Sequence, residues 1–428
     1  MQSRSPATHW TLLNGALLMV FLALLMVVPW GYAAIPLLAM GGALLGISLA
    51  PNARARLTLL DREDALWLLA LVAFAAVWLL DVARTGKWPV GEGNQGVALP
   101  LWSLLAAVVL VWWRCYPPSA LSWRLGLSAG ALGAGVIAAY ERWVLGVARP
   151  DNGMNPIPFG NLSLLLGVLA LIALLGRMEA PQERRHAGVD GLLGLAALAG
   201  LMTSLLSGTR GGWIALPLLA WLIYRTFRQV LPRRRLWLVA GVFGALLAGC
   251  VALPQSKVTD RIGLAVDDVH GYFVQGVKGT SLGVRLEMWK AGARLFAEKP
   301  LIGWGEGRLE RERDALVAEG TVHPGVSRYD QLHSDLIDTA ARRGLVGLAT
   351  LLMLYGVPIL LFSRHLRRCR DPGICALAAS GLMVPVAFID FGMSQSMLRD
   401  VRGLSGYLGL SVACWVLLKA AIAPRRPA

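Results

Sequence analysis

Apolar residues in this chain fall in long unbroken runs, each ended by a short polar break. Crossing ~30 Å of hydrocarbon at about 1.5 Å per residue takes roughly 20 apolar residues. By that measure twelve segments read as helices: 11–28, 32–50, 65–81, 99–113, 123–141, 157–176, 190–207, 212–227, 235–253, 344–362, 373–391 and 403–422, the fourth of them short. Runs of this length lack the two-residue alternation of a membrane barrel. Helices also satisfy every backbone hydrogen bond inside lipid. The expected fold class is therefore all-α, a polytopic membrane protein with about twelve transmembrane helices.

One long polar segment, residues 254–332, interrupts the pattern between the ninth and tenth runs. In "VRLEMWKAGARLFAEKPLIGWGEG", Leu286, Trp289, Ala293 and Phe296 recur at helical spacing and predict one apolar face, with Arg285 at the start of the helix. Pro300, Gly303, Gly305 and Gly307 end that helix in a turn. A second, highly charged helix is expected over 308–319. The stretch "QLHSDLIDTAARRGLVG" then leads into the tenth span, with His333 opening an amphipathic helix. The expected organisation is 1–253 with spans one to nine, 254–343 as a helical outer domain, and 344–428 with spans ten to twelve.

Composition agrees with this reading: 56% of residues are hydrophobic and the mean hydropathy is +0.57. The formal charge of +15 would suggest nucleic acid in a soluble protein. In a membrane protein it reflects basic loops on the cytoplasmic side, and nucleic-acid binding is not expected. With the N-terminus inside, the short inner segments hold twenty-one Lys and Arg residues, including Arg233, Arg234 and Arg235 and the group Arg364, Arg367, Arg368 and Arg370. The short outer loops hold only seven: Arg84, Lys87, Arg142, Arg149, Arg210, Arg399 and Arg402. Both termini are thus expected in the cytoplasm and the polar segment outside, which in a bacterium is the periplasm. The first apolar run lacks a convincing small-residue cleavage site and reads as a retained span. The five cysteines are scattered, so neither a disulfide framework nor a zinc site is suggested.

Charge beside a membrane is costly and marks candidates for function. "LLSGTRGGWIALP" places Arg210 in a turn between the seventh and eighth spans, where Gly211 and Gly212 would let a bulky ligand approach the backbone. The plainer alternative is an arginine reaching lipid headgroups. Arg285, alone, is equally a solvated arginine paired with Glu287 or Glu298. Two or three arginines converging on one pocket would instead suit phosphate and diphosphate oxygens.

Were His333 on a helix, Asp335 and Asp338 would lie roughly 200° and 140° away at about 100° per residue. Neither could orient its imidazole, so any partner comes from elsewhere; an exposed interfacial histidine is the bland reading. Asp338 and Arg342 form a plausible i,i+4 ion pair, and Arg342 and Arg343 read as interfacial anchors. Asp390, near the outer end of an apolar span, is expected to pair with an outer arginine. G-x-x-x-x-G-K-[ST], H-E-x-x-H and D-x-D are all missing, which argues against nucleotide hydrolysis and a zinc or nucleotide-sugar metal site.

Taken in order, "NPIPFGNL" at 155–162, "SGTRGGWIALP", an Arg-led helix running into "KPLIGWGEG", and "QLHSD" before "GLVGL" resemble the bacterial O-antigen ligase and polymerase superfamily. Ser334 stands where an Asn commonly follows the histidine in that family. The resemblance implies a glycosyltransferase of lipopolysaccharide biosynthesis in the bacterial inner membrane, with its site facing the periplasm. Its donor would be O-antigen on undecaprenyl diphosphate and its acceptor a sugar hydroxyl of lipid A–core, with membrane lipids around both. By the same resemblance His333 is the general base, Arg210 and Arg285 grip the diphosphate, and Asp390, Gly211 and Gly212 support the site. No metal or cofactor is implied, and direct displacement would invert the anomeric centre. Rival readings are an O-antigen polymerase, a protein O-oligosaccharyltransferase and, from another class, a membrane transporter; repeat symmetry between the halves, which would favour the last, is not evident.

Overall fold

The computed structural model describes residues 6–50, 53–89, 98–178, 186–252 and 258–423. Among them the regular structure is helical. In chain order the helices are α1 (Pro6–Leu24), α2 (Gly31–Leu49), α3 (Ala53–Arg56), α4 (Arg62–Thr85), α5 (Leu99–Cys115), α6 (Ala120–Trp143), α7 (Pro156–Leu175) and α8 (Ala187–Ser207). They continue as α9 (Arg210–Phe227), α10 (Arg233–Ala252), α11 (Val258–Val274), α12 (Ser281–Glu298), α13 (Arg308–Ala318), α14 (Asp335–Leu366), α15 (Pro372–Ser394) and α16 (Val401–Ile422). Every one of the twelve apolar segments is a helix. Eight helices, α2, α4, α6, α7, α8, α14, α15 and α16, are long and apolar enough to cross a membrane, and α1 and α5 are shorter apolar helices. The chain is a multi-pass membrane protein.

Helix α7 lies near the centre of the bundle. Asn155 caps it by accepting the Ile157 amide at 2.9 Å, and Pro156 occupies the first turn, where a missing N–H costs nothing. Its contact with α8 is set by small residues: a Cβ on Gly200 would lie 2.4 Å from the Ser163 carbonyl oxygen. Close backbone approach of this kind replaces the hydrophobic drive that lipid cannot supply.

The polar segment supplies α11, α12 and α13. Helix α12 begins at Ser281 behind the Thr280 cap, so Arg285 sits one turn inside it and does not start it. The expected apolar face is displaced as well. Met288, Ala291, Gly292 and Leu295 are buried, whereas Ala293 is exposed and Leu286, Trp289 and Phe296 are half-buried. Gly292 explains the offset, because its lack of a side chain admits Ile337 and Leu332 against the helix. The turn after α12 is as expected, with Gly303, Gly305 and Gly307 all at positive φ.

Helix α14 is broken at Gly344 (φ 60°, ψ −155°), a backbone region that only glycine occupies comfortably. The turn after α12 plugs this break: the Leu345 amide donates to the Pro300 carbonyl at 2.7 Å and the Val346 amide to the Leu301 carbonyl at 3.2 Å. Between α14 and α15, Cys369 and Cys375 form a disulfide with Cα atoms 5.5 Å apart, correcting the expectation of unpaired cysteines. The tight reversal capped by Asp371 before Pro372 brings them together.

Candidate functional site

Three segments meet at one end of the bundle: residues 329–335, the C-terminal end of α15 with residues 395–400, and the start of α9. His333 is at their centre. It is not helical but sits at φ 49° just before α14, which starts at Asp335 behind the Ser334 cap. That left-handed backbone turns the imidazole inward, where it is 7% exposed and packs edge-on against Tyr329, ring centroids 4.8 Å apart. Its Nδ1 meets the side-chain carbonyl of Gln395, 62 residues away. The partner is therefore an amide from the end of α15, and Nε2 takes no hydrogen bond among the described residues.

Burial first, and the Arg285 charge second, push the His333 pKa down to about 4, against the opposing influence of Gln395 and Asp338. The imidazole is neutral at physiological pH. Arg285 is thus electrically coupled to His333 from α12. Two of the sequence-predicted residues come together.

Arg210 is the first residue of α9, and its side chain lies outside what is described. Gly211 and Gly212 fall in the first helical turn, and protein occupies the space above them. An added Cβ would lie 2.1 Å from Ser394 Oγ at Gly211 and 2.5 Å from Asn161 Oδ1 at Gly212. Gly211 docks the start of α9 on the end of α15, next to Gln395, and Gly212 docks it on α7. Asp390 is further down α15 without the expected arginine: its Oδ2 has no hydrogen-bond partner among the described residues. The arginines it might have met are taken, Arg399 by Glu306 and Arg402 by the Tyr32 ring and the Pro29 carbonyl.

Beneath the site lies an ion lattice. Arg399 grips Glu306 through two bonds of 2.9 and 2.8 Å. Arg342 pairs with Glu310 at 2.6 Å, Asp338 at 2.9 Å and Glu306 at 3.4 Å. Arg343 lies 3.4 Å from Asp81 and 3.6 Å from Glu306, with its guanidinium over the Trp78 ring. Arg84 joins Asp81 at 2.8 Å and donates to the Gly303 carbonyl at 2.9 Å. The Asp338–Arg342 pair is as expected, but Arg342 and Arg343 are buried, at 0% and 2% exposure, and are not interfacial anchors. Burial pushes the Glu306 carboxyl up; Arg342, Arg399 and Arg343 more than offset this and hold it well below the usual carboxylate range. Four cations and four carboxylates thus tie α4, α13, α14, the 299–307 turn and the 395–400 turn into one support.

Sequence reasoning overlooked Gln395 and Glu306, counted Arg399 only as a loop charge, and set Asp335 aside as a partner of His333. Asp335 is 5% exposed; its Oδ1 accepts the Leu398 amide at 3.0 Å and its Oδ2 the Tyr355 hydroxyl at 3.3 Å. The polar run Ser394, Gln395, Ser396 closing an apolar span was the available signal. Among the described residues no group of three or more His, Cys, Asp or Glu side chains could hold a metal ion.

Residues 195–352, from within α8 to the first half of α14, match the family model described as O-antigen ligase. The matched segment contains Arg210, Arg285 and His333, and ends before Gln395. An uncharacterised protein of Haemophilus influenzae is 23% identical over 412 residues, 96% of this chain and 99% of the relative. The O-antigen ligase of Escherichia coli is 31% identical over 114 residues, 26% of this chain and 27% of that protein. The similarity to O-antigen ligases is thus concentrated in residues 195–352.

Proposed function

From the O-antigen ligase pattern in residues 195–352, we propose that this chain transfers O-antigen from undecaprenyl diphosphate to a sugar hydroxyl of lipid A–core. One observation carries the reading: within the matched segment, a neutral, inward-facing His333 keeps Nε2 unengaged within reach of the Arg285 charge. A bond forms between the acceptor oxygen and the anomeric carbon. The carbon–oxygen bond to the diphosphate breaks, its electron pair goes to the departing phosphate oxygen, and the hydroxyl proton goes to Nε2. Attack from the face opposite the leaving group inverts the anomeric centre.

Arg210 and Arg285 are assigned to the diphosphate, where paired guanidinium groups would offset the charge that grows as it departs. The donor also tunes the base. Its negative charge neutralises Arg285, removing one of the two influences that lower the proton affinity of His333. Asp390, Gly211 and Gly212 act in support, the glycines by seating the start of α9 against α15 and α7. In this reading the protein resides in the inner membrane with twelve spans, α9 and α10 included. Both termini are cytoplasmic and residues 254–343 form the periplasmic domain. In this orientation the turn bearing Cys369 and Cys375 is cytoplasmic and would hold them reduced, so their disulfide argues for the opposite orientation; thiol labelling of both cysteines in intact cells decides between the two.

The deciding experiment supplies purified protein in lipid nanodiscs with undecaprenyl-diphosphate-linked glycan and lipid A–core, and assays the joined product without ATP and with chelator. Elongated glycan still on the lipid carrier would instead identify a polymerase, and glycosylated peptide an oligosaccharyltransferase. Activity lost to chelator and restored by a divalent cation would overturn the arginine clamp. His333→Asn tolerates the left-handed backbone, removes the base, and should lower kcat by about 10²–10⁴-fold.

A further inference from the structure

The amide facing His333 has a chemical consequence. An imidazole with one engaged nitrogen takes the tautomer that its partner dictates. A side-chain carbonyl can only accept, so the nitrogen meeting Gln395 Oε1 must carry the proton. The other nitrogen is then a bare lone pair. Free imidazole has no such constraint, and protonation at Nε2 would block that lone pair.

Gln395 is itself held. It is fully buried, at 0% exposure, and its amide closes α15 on the Phe391 carbonyl at 3.1 Å. Its own carbonyl accepts the Met397 amide at 2.9 Å, folding residues 395–397 into a tight turn. Asp335 grips the next residue, Leu398, from two positions beyond His333. The fit is close: a Cβ on Gly392 would lie 2.6 Å from Asp335 Oδ2. One carboxylate thus locks the strand bearing the histidine to the turn bearing its amide partner.

We propose that Gln395 is a positioning residue for the transfer, its carbonyl accepting the Nδ1 proton of His333 to leave Nε2 as the proton acceptor, with Asp335 holding the two segments in register. This rests on the reading of His333 as the base. It adds a residue outside the segment matched to the ligase family. It also accounts for an amide where many histidine bases have a carboxylate. An amide fixes the tautomer while stabilising the imidazolium less than a carboxylate would, so the acquired proton is more readily released to the departing diphosphate or to water. The charged and titratable groups facing the imidazole are Arg285 from α12, Asp338 from α14 and the Tyr329 hydroxyphenyl ring.

The test uses full-length protein in nanodiscs and three variants, Gln395→Leu, Gln395→Glu and His333→Asn, each checked by thermal unfolding. Nitrogen-15 spectra of histidine-labelled protein, with His333→Asn to assign the resonance, should show His333 protonated at Nδ1 in the parent and at Nε2 in Gln395→Leu. That substitution should lower kcat at least about tenfold, towards the ~10⁴ that a wrong tautomer can cost, with donor KM little changed. The near-isosteric Gln395→Glu keeps the acceptor and adds charge. It should retain the Nδ1 tautomer and move the acid limb of the kcat/KM profile upward by about one pH unit or more. Should Gln395→Leu fail to fold, the tautomer of the parent and the acid limb of Gln395→Glu still decide. An Nε2-protonated His333 in the parent, or an unmoved acid limb in Gln395→Glu, overturns the proposal. Full activity in His333→Asn would instead overturn the base assignment, so the two failures are distinguishable.

Discussion

The two polar ends of the helix bundle use basic residues in opposite ways. At the end bearing His333, Arg342, Arg343 and Arg399 are at most 2% exposed and locked to Glu306, Asp338, Glu310 and Asp81. At the other end, Arg225, Arg228, Arg233, Arg234 and Arg235 are exposed, as are Arg364, Arg367, Arg368 and Arg370. Pairing exists there too: Arg114 meets Asp64 at 2.8 Å, and Lys419 meets Asp61 and Glu63, but Asp61 and Glu63 remain partly open to solvent. One end uses charge to build and the other mostly to face water and headgroups. A count of basic residues per loop cannot distinguish the two, although the energetic consequences differ greatly.

The sharpest way to break the contrast is to remove one acid from each end. Glu306→Leu removes the acid shared by three buried guanidinium groups and should cost about 3–5 kcal/mol, seen as a large drop in unfolding temperature in detergent. Next in size is Gly344→Ala. Its Cβ would meet the Leu301 backbone at 2.4 Å in a conformation that alanine avoids, for a loss of about 1–3 kcal/mol or more in the same assay. Glu63→Gln, at the opposite end, should cost only about 1 kcal/mol because its partners and water can rearrange. Replacing Arg367 and Arg368 by Gln should leave stability within about 0.5 kcal/mol.

Acid should weaken the end bearing His333. Glu306 has a folded pKa below its unfolded value, so its contribution is present above the unfolded pKa and is lost as pH falls through the folded one. His333 acts in the same direction. With a folded pKa near 4 and an unfolded value near 6.5, the unfolded chain binds the proton first as pH drops through that window, and folding weakens. Acidification should therefore unfold the parent more readily than His333→Asn, measured relative to each protein's stability at pH 7. For catalysis, kcat/KM should show no inflection near 6.5 and should decline only towards pH 4 in the donor-free enzyme.

The helices were legible because lipid imposes a length and an apolar composition that a single chain displays directly. The turn after α12 was equally legible, since Gly303, Gly305 and Gly307 require unusual backbone angles. The site was only partly so. His333 stood out as an ionisable group beside a span, but its placement on a helix was wrong, because Ser334 caps α14 and leaves His333 in a left-handed turn. Gln395 and Glu306 were hidden, because their importance arises from contacts 62 and 93 residues away along the chain. The same is true of Arg342 and Arg343. Their burial depends on acids from α4, α13 and the 299–307 turn, and no local pattern reports that convergence.

The break in α14 sets an order of assembly. The amides of Leu345 and Val346 find their acceptors at Pro300 and Leu301, not one turn back in their own helix. In hydrocarbon, each such group left unsatisfied would cost several kcal/mol. Residues 300–301 emerge from the ribosome before 344 does. The turn after α12 must therefore be in place before α14 can satisfy its backbone at the break. The glycine that bends α14 thus also makes its hydrogen bonding depend on a turn earlier in the chain.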